Sequence, residues 1–396
     1  MTTRLTYLTF AFVMFAALAL SDRSGVAQTP QAANPPASAG PKGTLARITV
    51  HGRALDGNLE GDPADRPVIV YLPPSYATAP QRRYPVIYFL HGYGANAEAY
   101  ARVLALPESV DRAIAAGGRE VIVVLPDAFT KYSGSMYSNS VTTGDWETFI
   151  ARDLPEYIDS HYRTIATREG RGLSGHSMGG YGTMRIGMKR PEVFQAMYAM
   201  SSCCLLNDPG AARGAGAGAA AAPRAGGPAP AAAAPPAAPP ASAAPAAGAA
   251  PGQGQPQGRA AGAGRGAGRG NGFANAPQAQ AAAWAPNPHN PPDFFDMPTK
   301  DGQLQPLIAA KYLANSPLLM VDQYVPALRS MRGIALDVGD KDGLNVTNKQ
   351  LEEALTRLDV PHTFELYDGD HGNRVGARFE TKLLPFFAKL LAPPSK

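Results

Sequence analysis

Apolar positions along the chain fall into short runs parted by polar, glycine-bearing loops, and the runs differ in period. Residues 46–50 and 66–72 are rich in β-branched side chains, with Pro73-Pro74 closing the second, and predict two early strands paired as a hairpin or meander. Residues 84–90 and 121–125 are continuous apolar runs of the length expected for buried strands, and residues 99–116 between them show helical spacing broken at Pro107. Such a strand, helix, strand unit builds a parallel sheet through a right-handed crossover. Trp146, Phe149, Ile150, Leu154, Tyr157 and Ile158 recur three or four apart and predict an amphipathic helix over 145–162, kinked or broken at Pro155.

The segment 168–174 is a poor strand on propensity because Gly170 and Gly172 interrupt it, and only its context assigns it to the sheet. A helix over 178–189 ends before Pro191, and a strand follows over 194–200. Farther on, 307–313 and 348–358 read as helices, 333–338 and 363–367 as strands, and 378–391 as a closing helix bent at Pro385. The order predicts an α/β fold with a mostly parallel central sheet and helices on both faces.

Three stretches depart from this pattern. An apolar run from Leu5 to Leu20 behind Arg4, followed by Gly25-Val26-Ala27, reads as a cleaved signal peptide over 1–27. The mature chain is therefore expected to be secreted or periplasmic, without a stable membrane anchor. Residues 28–44 read as a flexible leader. Residues 209–292 are Ala, Pro and Gly with almost no larger apolar side chain, and are expected to form a disordered low-complexity insertion between the two parts of one domain, 45–208 and 293–396.

Charge and cysteine content narrow the function. The formal net charge of +4 includes five arginines of the Ala/Pro/Gly tract, which has no acid between Ala211 and Ala283, so the rest of the chain stands at −1 and nucleic-acid binding is not expected. Cys203 and Cys204, the only cysteines, are adjacent and cannot make a long-range bridge. Consecutive Cα atoms lie closer than the usual disulfide separation, so two buried thiols are expected. Neither H-x-x-x-H, H-E-x-x-H nor spaced cysteine pairs occur, and no nucleotide fingerprint follows a strand, so neither metal nor cofactor is expected.

The chemistry gathers at strand ends. Gly175-His176-Ser177-Met178-Gly179 fits G-x-S-x-G, a sharp strand-to-helix turn that exposes a serine hydroxyl above a sheet. A serine needs an imidazole to take its proton, and the imidazole needs an acid. His371, between Asp370 and Gly372, supplies the first, and the loop carrying Asp340 and Asp342 supplies the second. Backbone N–H groups of Met178 and Tyr93 are placed to form an oxyanion hole. The remaining loop-borne histidines, His91 and His176, are expected to orient loops. Tyr132, Tyr137 and Trp146 are candidates to line a pocket for an aryl or acyl group.

The motifs Leu90-His91-Gly92-Tyr93-Gly94, Pro126-Asp127, Gly175-His176-Ser177-Met178-Gly179-Gly180, Gly339-x-x-Asp342 and Asp370-His371-Gly372 together resemble the putative-esterase family of α/β-hydrolases. That family includes feruloyl and acetyl xylan esterases, enterochelin-type esterases, S-formylglutathione hydrolases and mycolyltransferases. The resemblance implies the α/β-hydrolase fold, a Ser177, Asp342, His371 triad and oxyanion donors at Tyr93 and Met178. It implies a serine esterase acting through an acyl-enzyme on a small-molecule or carbohydrate ester, here aryl or acetyl esters of carbohydrates, and the signal-peptide reading makes that esterase an exported one. An acyltransferase on the same triad and a silent carbohydrate-binding or envelope module are the alternatives. The chain departs from the family where Gly372-Asn373-Arg374 follows His371 in place of a downstream aromatic, and where the long insertion replaces a short loop.

Overall fold

The early alternating segments pair as read: β1 (Thr44–His51) lies antiparallel to β2 (Asp65–Leu72). The computed structural model describes residues 42–210 and 273–393. The expected signal peptide and most of the expected leader, and residues 211–272 of the expected insertion, lie outside the described residues. Beyond β2 the chain runs through β3 (Val86–Leu90), α1 (Ala97–Val103), α2 (Glu108–Ala115) and β4 (Ile122–Pro126). Next come α3 (146–161), β5 (Arg171–His176), α4 (Met178–Lys189) and β6 (Ala196–Met200). After the insertion follow α5 (Ala276–Trp284), α6 (Pro306–Ala314), β7 (Gly333–Gly339), α7 (Asn345–Arg357), β8 (Thr363–Tyr367) and α8 (375–390).

The eight strands form one sheet in the order β1-β2-β4-β3-β5-β6-β7-β8, parallel from β4 to β8. Period-two alternation divides its side chains between two layers. Val68, Val70, Tyr88, Leu90 and Val124 face Phe149, Ile150, Leu154 and Ile186, while Ile69, Ile87, Phe89, Val123 and Leu125 face Leu104, Val110, Phe379, Leu383 and Phe387. Helices cover both faces, so the α/β-hydrolase reading of the pattern holds.

Both helices with an interior proline accommodate it in the same way. In α3, the short turn Trp146–Thr148 passes into a π-turn, Phe149–Asp153, before the α-segment Leu154–His161 that carries Pro155 at its second position. In α8, Val375–Arg378 passes into a π-turn, Phe379–Leu383, before Leu384–Leu390 with Pro385. A proline lacks the N–H that would continue the ladder and crowds the carbonyl four residues back; the wider turn places that carbonyl elsewhere. Gly172 explains how a low-propensity segment becomes a central strand. A Cβ there would lie 2.5 Å from a ring carbon of Phe387, so the missing side chain is the space that α8 fills.

The expected boundary of the insertion needs correction. Residues 273–292 belong to the folded structure: α5 buries Ala281, Ala282, Ala283 and Trp284. Alanines have high helix propensity and let the backbone approach closely, so Ala282 C=O accepts the Ser140 hydroxyl at 2.6 Å. Trp284 anchors the segment. Its ring centroid lies 5.7 Å from that of Tyr181 and 5.3 Å from that of Tyr312, and its indole N–H donates to Ser138 Oγ at 3.2 Å.

Glu60 sets a measurable pH dependence of stability. Both its carboxylate oxygens are buried without a hydrogen-bond partner among the described residues. Burial first, then neighbouring Asp62, push its pKa from 4.5 up to about 9, with Lys131 opposing. The folded chain thus holds a proton that the unfolded chain releases at lower pH. The stabilising contribution is fully present below about pH 4.5 and is lost progressively up to about pH 9. Glu60→Gln is expected to raise Tm by several degrees at pH 8 and to flatten the Tm profile between pH 5 and 9; an unchanged slope would contradict this account.

Candidate active site

Ser177 sits between β5 and α4 with φ 59° and ψ −114°, a conformation that costs energy for any residue with a Cβ. The surroundings hold it there. Ser177 N–H donates to Met200 C=O at 3.0 Å, and its own C=O accepts from Tyr181 N–H at 3.0 Å and Cys203 N–H at 3.1 Å. The close packing of α4 on β3 needs a glycine, since a Cβ on Gly179 would lie 1.9 Å from Leu90 O.

From this position the Ser177 hydroxyl reaches His371 Nε2 at 2.9 Å, and His371 Nδ1–H donates to Asp342 Oδ2 at 2.8 Å. Asp342 is buried, its Oδ1 fixed by Leu344 N–H at 2.9 Å, while the His371 side chain keeps 39% of its surface exposed. The acid is held away from water and the imidazole opens to it. Asp340, the other acid of that loop, accepts Gly369 N–H at 3.0 Å and so ties the acid loop to the histidine loop.

Met178 is the first residue of α4, so its N–H is among those with no acceptor within the helix. The loop bearing Tyr93 passes over Ser177: a Cβ on Gly92 would lie 3.4 Å from Ser177 Cβ and 2.3 Å from Tyr100 Oη. His91 fixes that loop from below. Its Nε2 accepts Ala128 N–H at 2.8 Å and its Nδ1–H donates to Gly92 C=O at 2.8 Å, and burial pushes its pKa down. Cys203 and Cys204 are half-buried free thiols with sulfurs 2.7 Å apart. Contact with Cys204, together with burial, pushes the Cys203 thiol pKa up, away from thiolate chemistry.

The three candidate pocket aromatics do not stay together. Trp146 is buried, its indole N–H on Thr143 C=O at 2.8 Å and its ring edge-on to Phe149. Tyr137 is fully buried, with its hydroxyl on His91 C=O at 3.2 Å. Both belong to the core: Tyr137 packs against His91 and Trp146 against Phe149. Tyr132 alone reaches the surface, donating to Asp293 Oδ1 at 3.1 Å, while its C=O accepts the Tyr93 hydroxyl at 2.8 Å. A cavity of about 500 Å³ instead borders Cys204 and is lined by Gln280, Met297 and Tyr312 from the segments after the low-complexity tract.

This geometry can be set beside known proteins. The family model described as "Putative esterase" matches residues 63–390. The chain belongs to this esterase family. Among curated relatives, Esterase Rv1288 of Mycobacterium tuberculosis (strain H37Rv) is 35% identical over 126 residues, 31% of this chain and 26% of that protein. An endo-1,4-beta-xylanase/feruloyl esterase of Xylanibacter ruminicola is 33% identical over 129 residues, 32% of this chain and 18% of that protein. The match thus spans about a quarter or less of these relatives' length. A solved ferulic acid esterase superposes with a TM-score of 0.57 at 20% identity over 89% of this chain and 99% of its own. The Staphylococcus aureus fluorophosphonate-binding serine hydrolase FphF gives 0.54 at 15% identity over 88% of this chain and 99% of its own. These two likenesses establish the fold of the esterase-family chain as that of α/β-hydrolases.

Sequence reasoning missed Tyr100 beside the site and Trp284 in the packing of α5. Tyr100 reads as one apolar position of an amphipathic helix, yet its hydroxyl lies between Gly92 and His176. Trp284 had a signal, a single large ring at the end of a small-residue tract, and it marks where the fold resumes.

Proposed function

We propose that the protein is an exported serine carboxylester hydrolase that works through an acyl-enzyme, on aryl or acetyl esters of carbohydrates. The observation that carries this reading is the continuous hydrogen-bonded series Asp342, His371, Ser177 at the carboxyl edge of the sheet. Ser177 Oγ attacks the ester carbonyl as its proton passes to His371 Nε2, and Asp342 stabilises the imidazolium. The N–H groups of Tyr93 and Met178 receive the oxyanion, each donor being worth about 3 kcal/mol. Collapse expels the alcohol, which takes the proton from His371. Water then enters, gives its proton to His371 and releases the acid, restoring Ser177. The carbohydrate-ester substrate class is supported by the names of relatives, a xylanase/feruloyl esterase and a ferulic acid esterase. Export is supported by the apolar run from Leu5 to Leu20.

The test is a panel of acetyl, feruloyl and thioester substrates given to the purified protein and to Ser177→Ala. Hydrolysis of the oxygen esters is expected, with kcat reduced at least about 1,000-fold in the variant. Retention of wild-type turnover of short aryl esters by Ser177→Ala would rule out this assignment.

A further inference from the structure

His176 stands next to the nucleophile, yet the steps of acyl transfer give it no task. It is 4% exposed and lies between three elements that must stay in register. Its Nε2 is 2.7 Å from the C=O of His371, and a carbonyl only accepts, so Nε2 carries the proton. Its Nδ1 is therefore unprotonated and accepts the Tyr100 hydroxyl, also at 2.7 Å. Tyr100 belongs to α1, and its hydroxyl occupies the space that a side chain on Gly92 would need. The rings of His176 and His371 lie 4.7 Å apart.

We propose that His176, held in its Nε2–H form by the His371 carbonyl and paired at Nδ1 by the Tyr100 hydroxyl, is a positioning residue for His371 that fixes the backbone of the general base against the nucleophile turn. This inference rests on the triad reading of the site. The need for such a brace follows from the loop it holds. His371 lies in the turn Asp370–Gly372–Asn373, whose internal bonds run from Gly372 N–H and Asn373 N–H to Asp370 Oδ1, both at 2.8 Å. Those bonds shape the turn without joining it to the serine loop. The bond from His176 does join them, so one side chain links Ser177, through its neighbour in sequence, to the backbone of the residue that takes its proton.

His176 also has to stay neutral. A second positive ring at that separation would oppose the imidazolium that forms on His371, on which Asp342 acts from one side and Asp370 from another. Burial, followed by the charge of His371, pushes the His176 pKa down to about 3, so the ring donates its hydrogen bond uncharged throughout the working range. The His371 carbonyl, an acceptor only, sets the tautomer, and the Tyr100 hydroxyl satisfies the remaining lone pair at Nδ1. Without that hydroxyl, Nδ1 is left buried and unpaired and the ring loses the contact that holds its Nε2–H against the carbonyl.

Two measurements on the full chain decide the proposal. Ring ¹⁵N spectra, with His176 assigned by comparison with His176→Gln, are expected to show the Nε2–H form in the wild type and in Tyr100→Phe, with the Nδ1 resonance of the variant shifted by loss of its hydrogen-bond donor. Kinetics with an aryl acetate are expected to show kcat lowered about 10- to 100-fold in Tyr100→Phe and His176→Phe, with KM within about twofold. His176→Gln, which keeps an N–H donor, should recover at least about tenfold over His176→Phe. An Nδ1–H form in the wild type, or Tyr100→Phe with wild-type kcat, overturns the proposal. Should His176→Phe fail to fold, Tyr100→Phe and the tautomer still decide. Absence of ester turnover by the wild type would sink the triad reading, while the tautomer measurement would still judge the brace.

Discussion

Asp342→Asn is expected to lower kcat by about four orders of magnitude while leaving the fold intact. An amide in place of the carboxylate has the same shape, and its oxygen can still accept Leu344 N–H. Its NH₂ then faces His371 Nδ1, which must give up its proton to accept that bond. The proton moves to Nε2, where the Ser177 hydroxyl needs an acceptor. The imidazolium formed during acyl transfer also loses a buried counter-charge 2.8 Å away. Asp340→Asn supplies the contrast, since Asp340 touches Gly369 N–H and not the imidazole. It should retain activity within a few-fold. Steady-state kinetics with far-UV CD checks both; equal losses in the two variants would show that the loop as a whole, rather than one carboxylate, governs His371.

The largest loss of stability is expected from Arg378→Met. Asp337, in the middle of β7, is completely buried, and its Oδ2 takes hydrogen bonds from Arg378 Nε and from the Tyr198 hydroxyl, each at 2.7 Å, while its Oδ1 has no partner among the described residues. Arg378 reaches on to Glu365, at 3.0 and 3.2 Å, and its guanidinium lies 4.1 Å from the centre of the Tyr367 ring. Removing the arginine leaves a carboxylate inside the sheet that must either stay charged without a partner or take a proton. A cost of about 3 to 5 kcal/mol is expected. The double variant Asp337→Leu with Arg378→Met removes both charges and should recover much of that loss. Urea unfolding of the three proteins tests the pair. A single variant as stable as the wild type would mean that water reaches Asp337 freely.

Strand positions were legible because buried strands read as unbroken apolar runs, and the reading holds even for β5, whose glycine becomes intelligible only once Phe387 is seen to fill the space. Ser177, Asp342 and His371 were legible because each follows a strand in a loop with glycine. The pocket was not. Aromatic residues near a loop carry no mark of which way they point, and Trp146 and Tyr137 point inward. The same difficulty hid α5: composition averaged over a long tract conceals nine residues whose alanines pack closely and whose tryptophan anchors them. Tyr100 was hidden for another reason, since helical spacing reports only the apolar side of a residue whose hydroxyl performs its other task.

The place of β6 in the sheet bears on how the chain is made. β6 pairs with β5 on one side within a short stretch of sequence, but its other edge waits for β7: Ala196 pairs with Gly333, 137 positions later. At 5 to 20 residues per second of synthesis, that edge stays open for on the order of ten seconds. Its sequence, Ala-Met-Tyr-Ala-Met, is apolar and free of charge and proline, so the nascent chain presents an unpaired strand able to join others of its kind. Ser177 N–H bonds to Met200 at the end of that same strand. Until β7 arrives, the strand that anchors the Ser177 turn on one edge therefore keeps its other edge open to aggregation.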